Sequence, residues 1–526
     1  MEQVKLYDTT LRDGMGGQGM SLSVGEKLKV VKALDELGIQ FIEAGFPSSN
    51  PKEAELFELL SNLELKQATI AAFGMTRRRD RKAQDDEALA VLVSSFAPVV
   101  CLVGKSWRLH LEKVTRVSDE ENLAMIADSI AFCREQGKRP VFDAEHFFDG
   151  YRDDAPYALE CVRAAAEAGA ENVTLCDTNG GSLPGFVAET TAAVVADLDG
   201  AVEVGIHTHN DAECAVANSL AAVGAGARLV QGCVNGYGER CGNANLASIL
   251  PALQLKMGFT AVSEEQLSSL TPTSHYLDEL CNMTPNPDRA YVGRNAFAHK
   301  AGMHAAGVAA DASTFEHLDP ARVGNERDIL ASELSGKATI RSQAERAGLQ
   351  LDDTAATEAV ERLKEREHRG YHYEAAQASF ELLLRREAGV YEPLFELESF
   401  RVTTEKREGG AVETEATIKV VVDGERYVEV AEGNGPVNAL DTALRAAIGA
   451  RHPHLREIEL TNYKVRILDE AHGTGAVTRV LLDSTDGKHE WGTIGVSENI
   501  IEASWEALVD SLAYAFQPRG ADAPAG

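Results

Sequence analysis

Short apolar runs recur along the first 233 residues at intervals that predict alternating strands and helices. Eight runs follow one another at roughly 25 to 40 residues, with helical periodicity between them: QVKLYD, IQFIEAG, ATIAAF, PVVCLVG, PVFDAEHF, NVTLCDT, VEVGIHT and ARLVQGC. The segment 22–38 is typical of the intervals, because its apolar residues share one helical face and Gly38 follows as a stop signal. The pattern predicts a (β/α)8 barrel. A doubly wound open sheet is the alternative, but no G-x-G-x-x-G follows its first strand.

Polar residues cluster where six of the eight predicted strands end. In a barrel of this kind the carboxyl ends of the strands form the active-site face, so side chains there are expected to carry the chemistry. The residues at these ends are Asp8, Arg12, Asp13, Glu43, Glu145, His146, Asp177, Thr178, Asn179, His207, His209 and the loop NGYGERCGNAN at 235–245.

The periodicity changes twice in the second half of the chain. Residues 271–395 read as helices and loops with little strand, and we expect a helical linker subdomain that completes the active site. From 396 to 517, two stretches of alternating pattern each end in a glycine-preceded helix, at 433–450 and 492–516. We therefore predict a catalytic barrel over 1–270, the linker, a small C-terminal α/β regulatory domain with two β-β-α repeats, and a disordered tail at 518–526.

The composition indicates a globular protein: 44% of the residues are hydrophobic and 25% are charged. No apolar run is long enough for a transmembrane helix, and the N-terminus shows no secretory signal. The eight cysteines form no C-x-x-C pair or zinc-ribbon spacing, which is typical of a reducing compartment. We therefore expect a cytoplasmic protein that does not act at a membrane.

The formal net charge of −31 argues against a nucleic-acid partner, because phosphate backbones are bound by basic surfaces. One dense basic run, RRRDRK at 77–82, stands out in this acidic chain. It is either a solvated loop or a surface that steers an anionic substrate, and the sequence leaves both interpretations open.

His207 and His209 lie two residues apart at the end of the seventh predicted strand. Side chains at i and i+2 share one face of a strand, so both imidazoles could bind one divalent ion. Alternatively, one is a satisfied polar group and the other faces solvent. Asp13 and Asn243 reach the same barrel face, and this mixed ligand set with open positions suits Mg²⁺, Mn²⁺ or Zn²⁺ at a catalytic site.

A divalent ion at a barrel mouth can chelate a 2-oxo acid and polarise its ketone. Arg12 could add positive charge at the same oxygen, and Thr178 could donate a hydrogen bond to the substrate carboxylate. The alternative for Arg12 is an ion pair with Glu43 or Glu145, which is compatible with the catalytic role.

Five motifs resemble those of the 2-isopropylmalate, homocitrate and citramalate synthases: LYDTTLRDG at 6–14, IEAGFP at 42–47, IHTHNDAECAVANS at 206–219, NGYGERCGNANL at 235–246 and FAHKAGMH at 297–304. The resemblance covers nearly the whole chain. It implies condensation of acetyl-CoA with a 2-oxo acid on a (β/α)8 barrel. It also implies a homodimer and a C-terminal domain that binds an amino-acid effector, with isoleucine favoured over leucine.

The resemblance also implies a role for each candidate residue. The metal ligands would be Asp13, His207, His209 and Asn243. Arg12, Glu43 and Thr178 would bind the substrate, with Arg12 supporting the keto oxygen. Glu145 and His304 would be the acid/base groups that form the acetyl-CoA enolate. His304 lies beyond the barrel in sequence, so it would have to reach over the mouth, from a neighbouring subunit in one arrangement.

Within this family, DAEHFFDGY at 143–151, CDTNGG at 176–181 and GNERDILASELSGKATI at 324–340 look most like the citramalate branch, which uses pyruvate. The alternatives are a 2-isopropylmalate or homocitrate synthase, a retro-aldol lyase, and a non-catalytic amino-acid sensor. One departure from the family pattern is Gly16, where a glutamine is usual. The CoA phosphates have three candidate partners, namely Lys300, Arg294 and the run at 77–82.

Overall fold

The computed structural model describes residues 2–47, 49–281, 283, 285–299, 302–329, 337–373, 376–406, 408–468 and 476–518. The chain divides into two compact units. The first comprises Met1–Phe297 and Leu318–Arg327, and the second comprises Ala298–His317 and Asp328–Gly526.

The first unit is built around a closed barrel of eight parallel strands in sequence order, as the sequence predicts. The strands are β1 (Lys5–Asp8), β2 (Phe41–Gly45), β3 (Thr69–Met75), β4 (Val99–Lys105), β5 (Arg139–Glu145), β6 (Asn172–Asp177), β7 (Glu203–Thr208) and β8 (Leu229–Gly232). Pairing of β1 with β8, from Lys5 opposite Leu229 to Asp8 opposite Gly232, closes the ring. The carboxyl ends of all eight strands therefore meet at one mouth.

Helices cover the outside of the barrel. They are α1 (Val24–Leu37), α2 (Pro51–Leu60), α3 (Glu87–Ser94), the short α4 (Arg108–His110), α5 (Asp119–Glu135), α6 (Phe147–Asp153), α7 (Ala155–Glu167), α8 (Pro184–Leu198), α9 (Ala215–Gly224), α10 (Leu246–Leu255), α11 (Glu264–Leu267) and α12 (Leu270–Leu280). Helix α1 shows why they form where they do: Ser23 and Glu26 make a capping box, and Gly38 ends the helix at φ +95°.

Two apolar layers hold the barrel. Outside, alternate strand residues such as Leu6 and Ile42 pack against the helices. Inside, a separate cluster fills the barrel with Tyr7, Phe41, Ala71, Val99, Cys101, Val141 and Leu229. Because the interior is filled by side chains, the barrel is a packed core, and the polar residues at the strand ends lie above it.

The second unit begins with short elements. Strands β9 (Ala298–His299) and β10 (Asp328–Ile329) pair in parallel, and the helices are α13 (Gly302–Ala310), α14 (Lys337–Arg346), α15 (Asp353–His368) and α16 (Gln377–Glu387). Helices α14, α15 and α16 pack through the apolar residues Ile340, Leu363, Tyr373, Phe380 and Leu384.

The remainder of the second unit contains two similar halves, each an antiparallel sheet followed by a helix. The first half has β11 (Glu396–Lys406), β12 (Val412–Val422), β13 (Glu425–Gly433) and α17 (Pro436–Gly449). The second half has β14 (Glu459–Ile467), β15 (Thr478–Thr485), β16 (Glu490–Ser497) and α18 (Ile500–Phe516).

The two predicted repeats are therefore present, but each contains three strands where the sequence pattern indicates two. The segment ETEATIKVVVDGERYVEV looks like one strand and is a hairpin, because Asp423 and Gly424 adopt φ +49° and +79° at a two-residue turn. In the second repeat the glycines before the helix belong to β16 itself.

The predicted domain boundaries remain predictions. Helix α12 and the segment 318–327 belong to the same compact unit as the barrel, although the sequence pattern places them in the linker. Of the predicted tail at 518–526, all but Pro518 lies outside the described residues. Within the described residues, no helix combines the length and apolarity that crossing a bilayer requires.

The turn at Asp423–Gly424 gives a direct test of the three-stranded repeat. Gly424 has no heavy atom near the place of a Cβ, so only its backbone conformation resists a side chain. We expect Gly424→Val to destabilise the second unit by about 1–2 kcal/mol, because a β-branched residue is strained at positive φ. Gly424→Asn is the matched control, since asparagine tolerates this region. Equal thermal unfolding of both variants would contradict the hairpin.

Candidate metal centre at the mouth of the barrel

The loop after β1 is folded back over the mouth by buried Asp8. Its carboxylate accepts hydrogen bonds from the Thr10 backbone N–H at 2.9 Å, the Thr10 hydroxyl at 3.0 Å and the Val234 N–H at 3.1 Å. Burial raises the pKa of Asp8 to about 6. These bonds tie the loops after the first and last strands together and present Arg12 and Asp13 beside β7 and β8.

Asp13, His207 and His209 converge on one point. The Asp13 Oδ2 atom lies 3.2 Å from His207 Nε2 and 3.4 Å from His209 Nε2. The two Nε2 atoms are 3.1 Å apart, and both rings are buried. Ligand atoms that each lie about 2.1 Å from one ion are separated by about 3.0–3.4 Å in tetrahedral or octahedral geometry. The three atoms are therefore spaced as ligands of a single ion.

Asn243, the fourth predicted ligand, lies in the loop after β8. It forms a bridge with the backbone of His209, and its Nδ2 donates to the Tyr237 carbonyl at 3.0 Å. Its Oδ1 is buried and has no hydrogen-bond partner within the described part of the chain. A buried amide oxygen without a partner is costly unless a ligand satisfies it. The predicted ligand set thus fits a divalent cation.

A second set of buried contacts fixes the ring of His207. Its Nδ1 lies 2.8 Å from Gln231 Oε1, and Gln231 Nε2 donates to Asp143 Oδ1 at 2.7 Å. Because Gln231 presents its oxygen to the imidazole, Nδ1 carries a proton, and Nε2 is the nitrogen that faces Asp13 and His209. Outer contacts of this kind orient a metal-binding histidine and set its tautomer.

The electrostatics keep Asp13 ionised and act in opposite directions on the two histidines. Burial acts to raise the pKa of Asp13, but the charge of Arg12 and the hydrogen bonds from His207 and His209 outweigh it and lower the pKa well below its usual range. Burial, with the charge of His207, lowers the pKa of His209. Burial alone would lower the pKa of His207, but the hydrogen bond and charge of Asp13 outweigh it and raise the pKa, so a bound ion would displace the proton from His207 Nε2.

Arg12 is held rigidly beside the ligands. Its Nε donates to Glu43 Oε2 at 2.5 Å, and its guanidinium carbon lies 3.9 Å from the centre of the Phe73 ring. Fully buried Glu43 also accepts a hydrogen bond from Tyr7. The ion pair considered for Arg12 is therefore formed with Glu43, and Arg12 Nη1 still lies 3.6 Å from Asp13 Oδ1.

Two other candidates lie at the ends of β5 and β6. Glu145 pairs with Lys105, which ends the neighbouring β4. The Thr178 hydroxyl accepts a hydrogen bond from the His146 backbone N–H at 2.9 Å. Both side chains are only partly buried, so they remain accessible at the mouth.

His304 belongs to the second unit, on α13, where its exposed ring stacks on Phe315 with centroids 4.3 Å apart. Lys300 lies outside the described residues. At Gly16, a Cβ atom would lie 2.7 Å from Glu239 Cγ. A glutamine at this position would thus require Glu239 to move, whereas Gly16 leaves room for the Glu239 side chain.

Sequence reasoning missed Gln231, Asp143, Phe73 and Lys105. A signal existed for the first two, because Gln231 is the one polar residue of β8 and Asp143 is a charged residue within the buried part of β5. Their mutual contact across the barrel interior could not be seen without the strand order.

Comparison with known proteins agrees with this geometry. The family model described as HMGL-like matches residues 3–275, one described as homocitrate synthase post-HMGL domain-like matches 291–370, and the LeuA allosteric (dimerisation) domain matches 374–516. The chain is 47% identical over 521 residues to the (R)-citramalate synthase of Synechocystis sp., covering 97% of this chain and 95% of the relative.

The chain belongs to the HMGL-like family, in its citramalate synthase branch. It is 48% identical over 513 residues to the (R)-citramalate synthase of Streptomyces coelicolor, covering 97% of this chain and 96% of the relative. A probable 2-isopropylmalate synthase of Methanopyrus kandleri is 33% identical over 512 residues, covering 97% of each. The family assignment makes the chain an acyltransferase of a metal-dependent family, and the C-terminal dimerisation domain accords with a dimer.

Replacing Gln231 tests whether the outer contacts prepare the metal centre. We expect Gln231→Leu to weaken Mn²⁺ binding about 10- to 100-fold, because His207 loses the acceptor that fixes its tautomer. The measurement is calorimetric titration of EDTA-treated protein. Gln40→Leu is the matched control, since Gln40 bridges Gly38 and Ala261 elsewhere in the barrel. Equal losses in both variants would assign the effect to general destabilisation.

Proposed function

We propose that the chain condenses acetyl-CoA with pyruvate to give (R)-citramalate and CoA, as a step of isoleucine biosynthesis. The observation that carries the proposal is the convergence of Asp13, His207 and His209 beside Arg12. A relative nearly half identical along its whole length is named for (R)-citramalate, which supports pyruvate as the acceptor. Free thiols at all eight cysteines suit a cytoplasmic enzyme.

Asp13, His207, His209 and Asn243 would hold one divalent ion, Mg²⁺, Mn²⁺ or Zn²⁺, which when bound supplies Lewis acidity to the ketone of a 2-oxo acid. Arg12 acts at the same oxygen. Glu43 occupies its Nε, and within the described part of the chain no group accepts a hydrogen bond from its terminal nitrogens, so these can donate to the oxygen as negative charge develops there. Glu43 would thus contribute to substrate binding by holding Arg12 in position.

Thr178 is suited to hold the pyruvate carboxylate. Its oxygen already accepts the His146 N–H, so its hydroxyl proton is available to donate. A carboxylate oxygen placed there would receive a hydrogen bond from a rigid strand end, which fixes the orientation of the ketone relative to Arg12.

Glu145 and His304 would act as the acid and base groups that transfer protons during the reaction. A carboxylate at the end of β5 takes a proton from the acetyl methyl group, and the resulting enolate carbon attacks C2 of pyruvate. Protonation of the alkoxide gives citramalyl-CoA, and water then cleaves the thioester to release citramalate, CoA and a proton. We assign His304 to this pair by family likeness.

The C-terminal domain would bind an amino-acid effector, for which we propose isoleucine as the end product of the pathway. The match to the LeuA allosteric (dimerisation) domain over 374–516 supports a regulatory role for this part of the chain. Inhibition would require the effector to bind two states of the enzyme with different affinity.

The reaction is tested by CoA release from acetyl-CoA with pyruvate, 2-oxobutyrate, 2-oxoisovalerate and 2-oxoglutarate, with Mn²⁺ and again with EDTA. We expect turnover with pyruvate far ahead and its loss in EDTA. A preference for 2-oxoisovalerate would move the enzyme to 2-isopropylmalate synthesis, the activity for which the Methanopyrus relative is named. No turnover with any acid would contradict a synthase.

Glu145→Gln tests the proposed base. We expect kcat to fall about 10²- to 10⁴-fold, because the amide cannot accept the methyl proton. Mn²⁺ binding should be unchanged, since Glu145 lies outside the ligand set. Glu112→Gln is the control, a surface glutamate of the loop after β4 that pairs with Lys113. Wild-type kcat for Glu145→Gln would remove Glu145 from the mechanism.

A further inference from the structure

The basic run at 77–82 separates into a structural and a free part. Arg77 is buried, with its Nε 2.8 Å from Asp128 Oδ2 and its Nη1 2.7 Å from Glu121 Oε1. Its backbone N–H donates to Ser129 Oγ at 2.8 Å. Arg77 therefore fixes the loop after β3 to helix α5 and cannot itself bind a ligand.

The other four basic residues of the run, Arg78, Arg79, Arg81 and Lys82, are exposed. Within the described residues they take part in one ion pair, in which Arg79 Nε lies 3.9 Å from the exposed Asp80. A pair so long and solvated contributes little. Asp86 holds the loop by accepting from the Arg78 N–H at 2.9 Å while capping α3. The loop is thus held by hydrogen bonds at both ends and presents exposed cations between them.

The neighbouring loop after β4 extends this surface. Arg79 Nη1 donates to the Arg116 carbonyl at 3.2 Å, so the two loops are in contact. The Arg116 side chain is exposed and forms no ion pair with any described residue. We call Arg78, Arg79, Arg81, Lys82 and Arg116 the basic rim. It lies at the carboxyl ends of β3 and β4, on the active-site face.

The loop that carries Arg116 also leads to the proposed base. Near its start, the rings of Trp107 and His110 pack on His146, with centroids 5.7 Å and 4.3 Å from the His146 ring. Ligand atoms of His110, Glu145 and His146 lie within 4.8 Å of one another. We call the rings of Trp107, His110 and His146 the ring shelf. The loop after β4 therefore connects the basic rim to the ring shelf, which lies beside Glu145.

We propose that the basic rim binds the phosphorylated ADP end of acetyl-CoA while the ring shelf guides the pantetheine arm to Glu145. This inference rests on the proposed function, since it takes acetyl-CoA as the substrate. Its physical basis is charge: a chain of net charge −31 repels a polyanion over most of its surface. Arginine forks bind phosphate oxygens through paired hydrogen bonds, so the five exposed cations of the basic rim would reverse the repulsion locally.

The test is a variant with Arg78, Arg79, Arg81 and Lys82 all changed to glutamine. We expect its KM for acetyl-CoA to rise about 10- to 100-fold, with kcat and the KM for pyruvate within about twofold of wild type. Acetyl-pantetheine, which lacks the nucleotide phosphates, should react equally with both proteins. Raising NaCl should increase the acetyl-CoA KM of the wild type and have little effect on that of the variant.

A matched control changes the exposed Lys29, Lys32, Lys52 and Lys66 to glutamine, which alters the net charge equally at other places on the barrel unit. We expect its KM for acetyl-CoA to stay within about twofold of wild type. If both quadruple variants raise this KM alike, or if the rim variant impairs acetyl-pantetheine as much as acetyl-CoA, the basic rim is not the nucleotide site.

Calorimetric titration with free CoA separates this proposal from the proposed function, because it needs no turnover. If no 2-oxo acid reacts but CoA binds the wild type at least 10-fold more tightly than the rim variant, the surface is confirmed and the reaction alone is wrong. If CoA binds both proteins with equal affinity, or binds neither, the proposal is overturned even where citramalate is formed.

Discussion

The pairing of β1 with β8 is the constraint on which the rest of the first unit depends. It brings the first residues of the chain beside strands more than 200 residues later, so Asp13 lies 3.2 Å from His207. Buried Asp8 reinforces the closure by bonding the loops after both strands. Without it, the carboxylate would have no histidines to meet, since neither loop contains a complete ligand set. The candidate metal ligands therefore come together only when the barrel closes.

Around that closure, polar groups are arranged in two layers with different tasks. The inner layer consists of Asp13, His207 and His209, whose ligand atoms converge, and of Asn243, whose amide oxygen has no partner among the described residues. The outer layer, made of Gln231, Asp143 and Glu43, has its hydrogen bonds already made. Such an arrangement fixes the orientation of the reactive groups before substrate arrives, which reduces the reorganisation needed during reaction.

Much of the barrel and of the candidate metal centre could be predicted from the sequence, because each strand has a local sequence pattern. Apolar runs mark the strands, and since strand ends share one face, Arg12, Asp13, His207 and His209 could be grouped without coordinates. What escaped prediction depends on the third dimension. The contact of Gln231 with Asp143 requires the order of strands around the barrel, and the burial of Arg77 inside an exposed basic run requires its acidic partners on α5. The hairpin at Asp423–Gly424 has a local signal that the strand assignment overlooked, because an Asp-Gly pair between two alternating runs is typical of a two-residue turn.

The central claim is that one divalent ion binds at Asp13, His207, His209 and Asn243. Equilibrium dialysis of EDTA-treated protein against Mn²⁺, with the bound metal counted by atomic absorption, tests it most directly. We predict one Mn²⁺ per chain for the wild type and none at the same free concentration for His207→Ala, with unchanged circular dichroism. A wild type that binds no Mn²⁺, or a His207→Ala variant that binds it with wild-type affinity, would contradict the account.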